Sequence, residues 1–339
     1  MAGLQTTDHA ALLGQLFVVG VPGLELDDST KRLIEEFRIN NFIYFKRNVD
    51  SPEQLRHLSE DLRRGCAAAD LAPPLIAIDQ EGGSVTRLPP PFTQFPDARV
   101  LANAQEPEKE LTAYAQICAR ELREIGVNYN LAPVLDVCEA GKKYFMEKRA
   151  LGGDPESVAR LGSLVIRELQ ANSIAACAKH FPGLGAAVVD PHFQLPSVAK
   201  KESAILAHDI PPFQQAIAAG VASIMTSHTI YKHLDPQNPA TLSPKILTDL
   251  LRRRLGYQGV IITDDLEMGA IEKEGDLGSA ALQAFAAGAD LLLICHSHEK
   301  VIDALGNTAT AVAASSELQA RVRESSGRVA LLRGRFAAG

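Results

Sequence analysis

The stretch KHFPGLGAAVVDPHFQLP, residues 179–196, sets Lys179, His180, Asp190 and His192 among glycines and prolines, directly after the apolar run IAACA. Proline and glycine exclude a regular helix there, so a loop must present these groups. Asp190 and His192 are two apart across one proline. In an extended loop, side chains at i and i+2 lie on the same side. The aspartate then hydrogen-bonds one ring nitrogen, fixes the tautomer and favours the imidazolium. A histidine so placed shuttles protons near neutral pH; the plainer alternative is a surface pair on a turn. Asp264 and Asp265 follow GVIIT. Strand alternation points them to opposite sides, so one can serve as nucleophile, base or metal ligand while the other caps the LEMGA segment. Asp79 opens DQEGGSVTR, where two glycines let backbone approach a ligand closely. Arg87 and Arg149 can clamp an oxygen-rich substrate, although each alone also reads as a surface arginine. Lys179 and His180 read equally as a salt-bridged lysine and a core histidine.

His296 and His298 form an H-x-H, which invites a metal reading. Metal-dependent hydrolases on eight-stranded barrels carry H-x-H at the first strand and a lone aspartate at the last, the reverse of the order here. No H-E-x-x-H occurs either, so free loop histidines are expected and no metal or organic cofactor is assigned. Cys66, Cys118, Cys138, Cys177 and Cys295 are far apart, odd in number and lack C-x-x-C spacing, which reads as buried thiols in a reducing compartment.

Eight short apolar runs end in polar residues: LFVVGV (16–21), FIYF (42–45), PLIAID (74–79), NYNLAPVLDV (128–137), IAACAKH (174–180), ASIMTSH (222–228), GVIITDD (259–265) and DLLLICH (290–296). Between them lie stretches with three-to-four apolar spacing, several opening on Asp, Ser or Pro and closing on Gly. Strands alternating with helices predict a single-domain α/β (β/α)₈ barrel over residues 1–339. A long loop is expected over 181–200 and a closing helix over 316–336. A doubly wound open sheet competes, but no G-x-G-x-x-G follows the first strand. In such barrels the chemistry sits at the C-terminal strand ends. Those ends read Asp79, Asp136, Lys179-His180, His228, Asp264-Asp265 and His296, which predicts one polar pocket.

Hydrophobic residues at 46% and charged residues at 22% suit a folded chain, and a net charge of −7 with no basic block argues against nucleic-acid or anionic-membrane partners. No apolar run approaches the ~20 residues of a membrane span. The N-terminal stretch lacks the charged and apolar regions of a signal peptide, which reads as cytoplasmic. Oligomeric state is not legible.

The run IDQEGGSVTRL resembles the D-Q-E-G-G-x-V-x-R motif of glycoside hydrolase family 3. KHFPGLGAAVVDPH resembles that family's K-H-F-P-G-H-G-x-x-x-x-D-S-H. APVLDV, RALGGDP, NPATLS and LRRRLGYQGVIITDDLEM are similar in the same order. The resemblance runs from about residue 12 to 300 and is to the short bacterial β-N-acetylglucosaminidases, which place an Asp-x-His dyad on the loop after the fifth strand. It implies Asp264 as nucleophile, His192 as general acid/base and Asp190 as its orienting partner. Asp79, Arg87, Arg149, Lys179 and His180 are implied to grip N-acetylglucosamine, with Asp265 in support. Four departures stand out. Leu184 replaces the histidine of G-H-G, Pro191 the serine of D-S-H, Ser84 a frequent arginine, and EAGKKYFMEKR is only loosely family-like.

The reaction so implied is retaining removal of terminal β-linked N-acetylglucosamine from cell-wall fragments, without cofactor. Retaining glycosidases use two groups about 5–5.5 Å apart. A histidine suits the acid role because its unperturbed pKa of about 6.5 lies near working pH. A phosphorylase of the same family and a catalytically weak sugar-binding protein are the alternatives. A Schiff-base aldolase using Lys179 would leave DQEGG unexplained.

Overall fold

The computed structural model describes residues 8–142, 144–187, 195–272 and 276–337. Eight parallel strands carry it: β1 (Phe17–Gly20), β2 (Asn41–Tyr44), β3 (Leu75–Ile78), β4 (Tyr129–Asn130), β5 (Ala175–Phe181), β6 (Ser223–Thr226), β7 (Val260–Ile262) and β8 (Leu292–Ile294). From β1 to β7 each pairs with the next in chain order, and β1 also pairs with β8 through Phe17 and Leu292. The last gap, between β7 and β8, is bridged at Ile262 and Leu291, with Thr263 N donating to Leu291 O at 3.0 Å. The sheet thereby closes on itself as the predicted (β/α)₈ barrel. Every residue of these eight strands is buried, as continuous apolar runs require when helices cover the outer face.

The helices begin where their capping residues stand. Asp27, Ser51, Asp154, Asp276, Ser297 and Ser315 each accept a backbone N–H from the first turn, and Pro52 and Pro155 open their helices. Two features differ from the sequence pattern. The fourth strand is a ladder of two residues rather than ten, because Pro133 offers no N–H. Around it the chain stays beside β5 through carbonyls, Ala132 O and Pro133 O accepting from Cys177 N and Lys179 N at 2.9 and 3.3 Å, and Leu135 N then donates to Lys179 O at 2.7 Å. A helix at His298–Ala314 went unread: its buried face is Val301, Ala304, Leu305, Thr308 and Val312, too small and too polar to stand out.

The helix Ser316–Phe336, expected over 316–336, is tied to the N-terminal end of the barrel by Asp290, which is fully buried. Its carboxylate accepts from Arg321 at 3.1 Å, Arg328 at 3.2 Å, Ser325 Oγ at 2.8 Å and Ile261 N at 2.9 Å, and it also pairs with Arg252. Removing one partner of a buried ionic cluster leaves uncompensated charge. Asp290→Ala is therefore expected to lower unfolding free energy by about 3–5 kcal/mol in urea titration, and wild-type stability of the variant would refute the anchor.

Candidate active site

DQEGGSVTR folds as a tight reversal. Glu81 N and Gly82 N both donate to Val85 O, at 3.0 and 3.2 Å, and Gly82 and Gly83 take φ of 98° and 55°. A Cβ on Gly83 would overlap Asp97, and one on Gly82 would crowd Pro96 O. The glycines therefore serve the chain's approach to its own residues 95–97, rather than to a ligand as their spacing suggested. Ser84, at the position of a frequent arginine, donates to Asp97 Oδ1 through both N (2.7 Å) and Oγ (2.9 Å). Gln80 points away and accepts from Arg87 N at 2.9 Å, which returns Arg87 to the side of Asp79.

The result is a lattice of ion pairs. Lys179, only 2% exposed, lies 2.8 Å from Asp79 Oδ1 and 2.6 Å from Glu81 Oε1. Arg87 Nη2 meets Asp79 Oδ2 at 3.0 Å. Arg149 forks onto Glu81 at 2.9 and 2.7 Å, the bidentate geometry that arginine favours. His180 Nδ1 donates to Asp136 Oδ2 at 2.8 Å, since a carboxylate only accepts, and its Nε2 lies 3.5 Å from Arg149. Burial alone would raise the Asp79 carboxyl, but Lys179 and Arg87 outweigh it and hold it well below the usual carboxylate range. Against the same burial, Arg149 and Lys179 draw Glu81 down to about 2. Burial lowers Lys179, yet the two carboxylates leave it above its ordinary value. Asp79, Glu81, Arg149 and Lys179 therefore stay ionised around neutral pH.

Asp79, Arg87, Arg149, Lys179, His180 and Asp264 line one cavity of about 910 Å³ at the C-terminal end of the strands. Six of the eight residues expected to act on or grip the sugar thus converge. Asp190 and His192 lie outside the described residues. The sequence reading missed Glu81, whose signal was its i+2 spacing from Asp79 in the same motif. It also gave Asp136 no role beyond ending a strand. Leu184 is buried against Val134, Cys138, Met146 and Ala150, with Tyr144 and Phe145 packed on the same cluster. Two departures from the family pattern, Leu184 and the 139–149 segment, are therefore one apolar feature. The histidines of H-x-H are not free: His298 contacts Ser29 Oγ at 2.8 Å and Gly20 O at 2.9 Å, while His296 packs on Phe45 and contacts Arg47.

The two adjacent aspartates separate as alternation predicts. Asp264 lines the cavity, and its Oδ1 accepts Asp265 N at 2.9 Å. Asp265 turns inward, and its Oδ1 accepts Glu267 N at 3.1 Å and Cys295 N at 3.2 Å. Burial, with Glu267 and Asp264 nearby, pushes its carboxyl up to about 7. A carboxyl raised on folding gives stability that is full below its ordinary 3.8 and lost as pH climbs to about 7. At pH 8 the buried charge burdens the native state, and Asp265→Asn removes that burden. The melting temperature of Asp265→Asn relative to wild type should accordingly be higher at pH 8 than at pH 5; an unchanged difference would contradict the shift.

The profile described as Glycosyl hydrolase family 3 N terminal domain matches residues 10–332. A beta-hexosaminidase of Alkalilimnicola ehrlichii is 36% identical over 295 residues, which cover 86% of this chain and 83% of that protein. Among solved structures, a glycoside hydrolase family 3 beta-N-acetylglucosaminidase from Paenibacillus sp. str. FPU-7 superposes with a TM-score of 0.92 at 40% identity. That match covers 97% of this chain, which spans 63% of the Paenibacillus chain. Beta-N-acetylhexosaminidase from Beutenbergia cavernae gives a TM-score of 0.88 at 28% identity, covering 97% of this chain and 99% of that one. With the profile matched over nearly all of its length and these relatives over most of it, the chain belongs to glycosyl hydrolase family 3, as a glycoside hydrolase of the β-N-acetylhexosaminidase type.

Proposed function

We propose that this protein removes single terminal β-linked N-acetylglucosamine residues from cell-wall (peptidoglycan) fragments inside the cell, with retention of configuration. The observation that carries this reading is the shared cavity: Asp264 faces the same space as the Asp79, Lys179, Arg87 and Arg149 ion lattice. Charged groups fixed by one another offer strong, directed hydrogen bonds to sugar hydroxyls. A cavity of about 910 Å³ suits a small ligand rather than a polymer tract. Five buried free thiols are in keeping with a reducing compartment.

In the first step a carboxylate oxygen of Asp264 attacks the anomeric carbon while the bond to the aglycone oxygen breaks. His192, oriented by Asp190, gives that oxygen its proton. Water then attacks the same carbon, His192 takes the water's proton, and the bond to Asp264 breaks. Two inversions return the β anomer. The roles of His192 and Asp190 rest on their sequence pattern. Asp264 and the sugar-gripping set rest on that pattern and on their common cavity.

Asp264→Asn removes the attacking charge at almost constant volume. Turnover is expected to fall by roughly 10⁴-fold or more with the melting temperature kept. An NMR time course of the wild type should show the β anomer of the product first; the α anomer first would rule out the two-step path. The assay that tests the substrate compares matched aryl β-N-acetylglucosaminides and β-glucosides, then disaccharides that carry muramic acid on the aglycone side. Preference for plain glucosides would overturn the N-acetylglucosamine assignment, and no turnover of muramic disaccharides would overturn the cell-wall source.

A further inference from the structure

Three conspicuous features have no part in the reaction as described: His228 at the end of the sixth strand, the NPATLS segment at 238–243, and the inward turn of Asp265. The structure joins them. His228 is 1% exposed. Its Nε2 lies 2.9 Å from the carbonyl oxygen of Asp265 and its Nδ1 lies 2.8 Å from Thr241 Oγ1. A carbonyl only accepts, so Nε2 carries a proton, and the Thr241 hydroxyl meets the other ring nitrogen.

Thr241 is itself held. Its Oγ1 lies 2.7 Å from Thr226 Oγ1 and 3.0 Å from Ser227 O, and its N–H donates to Ser227 O at 3.2 Å. The rest of NPATLS is clamped on buried Asp235, which accepts from Asn238 Nδ2 at 3.1 Å and Ser243 Oγ at 2.8 Å. Ala240 N donates to Thr229 O at 2.9 Å. The segment therefore fastens to the extension of the sixth strand and presents one hydroxyl to one imidazole.

On the other side of that imidazole, Asp265 is fixed from three directions. His228 and Met268 N hold its carbonyl, Cys295 N at the end of the eighth strand holds its carboxyl, and Glu267 N closes the turn. Its own N–H is the hydrogen-bond partner of Asp264 Oδ1. Asp264 Oδ2 has no hydrogen-bond partner among the described residues. One oxygen of the candidate nucleophile is thus tethered and the other is left to attack.

We propose that Thr241 and His228 are positioning residues for the nucleophile: together they brace the Asp265 carbonyl, and with it the main chain of that residue, whose N–H aims the Asp264 carboxylate at the anomeric carbon. This rests on the reading of Asp264 as nucleophile. Neither residue needs to touch the sugar. A displacement of about 1 Å in such an arrangement costs on the order of 10²-fold in rate, so a single lost hydroxyl is measurable.

The decisive variants are Thr241→Val, which deletes the hydroxyl at nearly constant volume, and Thr241→Ser, which keeps it. Thr241→Val should slow the glycosylation step by ~10–100-fold, with binding of free N-acetylglucosamine unchanged. The loss should be equal for aryl glycosides of good and poor leaving group, because attack rather than protonation is impaired. Thr241→Ser should restore most of the rate. His228→Gln, which retains an N–H donor but cannot satisfy Thr241 as well, should fall on the same side as Thr241→Val and serves if that variant fails to fold. A wild-type glycosylation rate in Thr241→Val, a Thr241→Ser variant as slow as Thr241→Val, or a loss expressed only in sugar affinity would each overturn the proposal. Trapping the wild type with a 5-fluoro N-acetylglucosaminyl fluoride and mapping the labelled peptide separates the two readings. A label on Asp264 with unimpaired Thr241→Val overturns the positioning alone; a label elsewhere overturns the nucleophile assignment and the positioning with it.

Discussion

A lysine ammonium buried to 2% exposure at the mouth of a barrel is tolerable only if carboxylates meet it there. Most of the site follows from that constraint at Lys179. Two carboxylates come from the end of the third strand, two places round the sheet, and one tripeptide supplies both, Asp79 and Glu81, with Gln80 facing the other way. Each carboxylate is then shared with an arginine, Arg87 on Asp79 and Arg149 on Glu81. The chain must double back within a few residues to return Arg87, which is why two glycines with positive φ stand between. A network closed in this way holds its geometry without a ligand. A sugar entering it meets donors and acceptors already aimed and ionised, so little of its binding energy is spent on ordering the protein.

The departures from the family pattern become coherent once packing is considered. Leu184 removes a polar group from the loop, but its backbone N–H still donates to Asp136 Oδ1, at 2.6 Å, and so still braces the carboxylate that holds His180. Its side chain joins Met146 and Val134 in a small apolar cluster beneath the 139–149 segment. Leu184 and the apolar residues of that segment thus pack on one another. The ion lattice next to them is left intact.

Asp264 and Asp265 show how environment divides labour between identical neighbours. One faces the cavity that the ion lattice also lines. The other lies against Glu267 and the end of the eighth strand, where burial favours its protonated form. The opposite end of the barrel follows the same logic for a structural purpose. Buried Asp290 binds arginines from the 245–254 segment and the last helix, so closure of the sheet and docking of that helix depend on one carboxylate. Charge is placed at both ends of this barrel and apolar packing fills its middle.

Much of this was legible in the sequence. The eight apolar runs fell where strands form, because burial on both faces leaves an uninterrupted hydrophobic signal. Polar residues ending those runs marked the pocket, because parallel strands deliver their C-terminal ends to one side. The helix at 298–314 escaped because alanine and threonine dilute its buried face, and the fourth strand looked longer than it is because Pro133 withholds a ladder N–H without interrupting hydrophobicity. What only the tertiary structure decided was partnership. No local pattern states that Lys179 sits between Asp79 and Glu81, a hundred residues away, or that Thr241 reaches His228. Such pairs depend on which strand ends become neighbours when the sheet closes. Periodicity reports each segment's own burial, whereas ion pairs and hydrogen bonds between segments exist only once the barrel has brought their ends together.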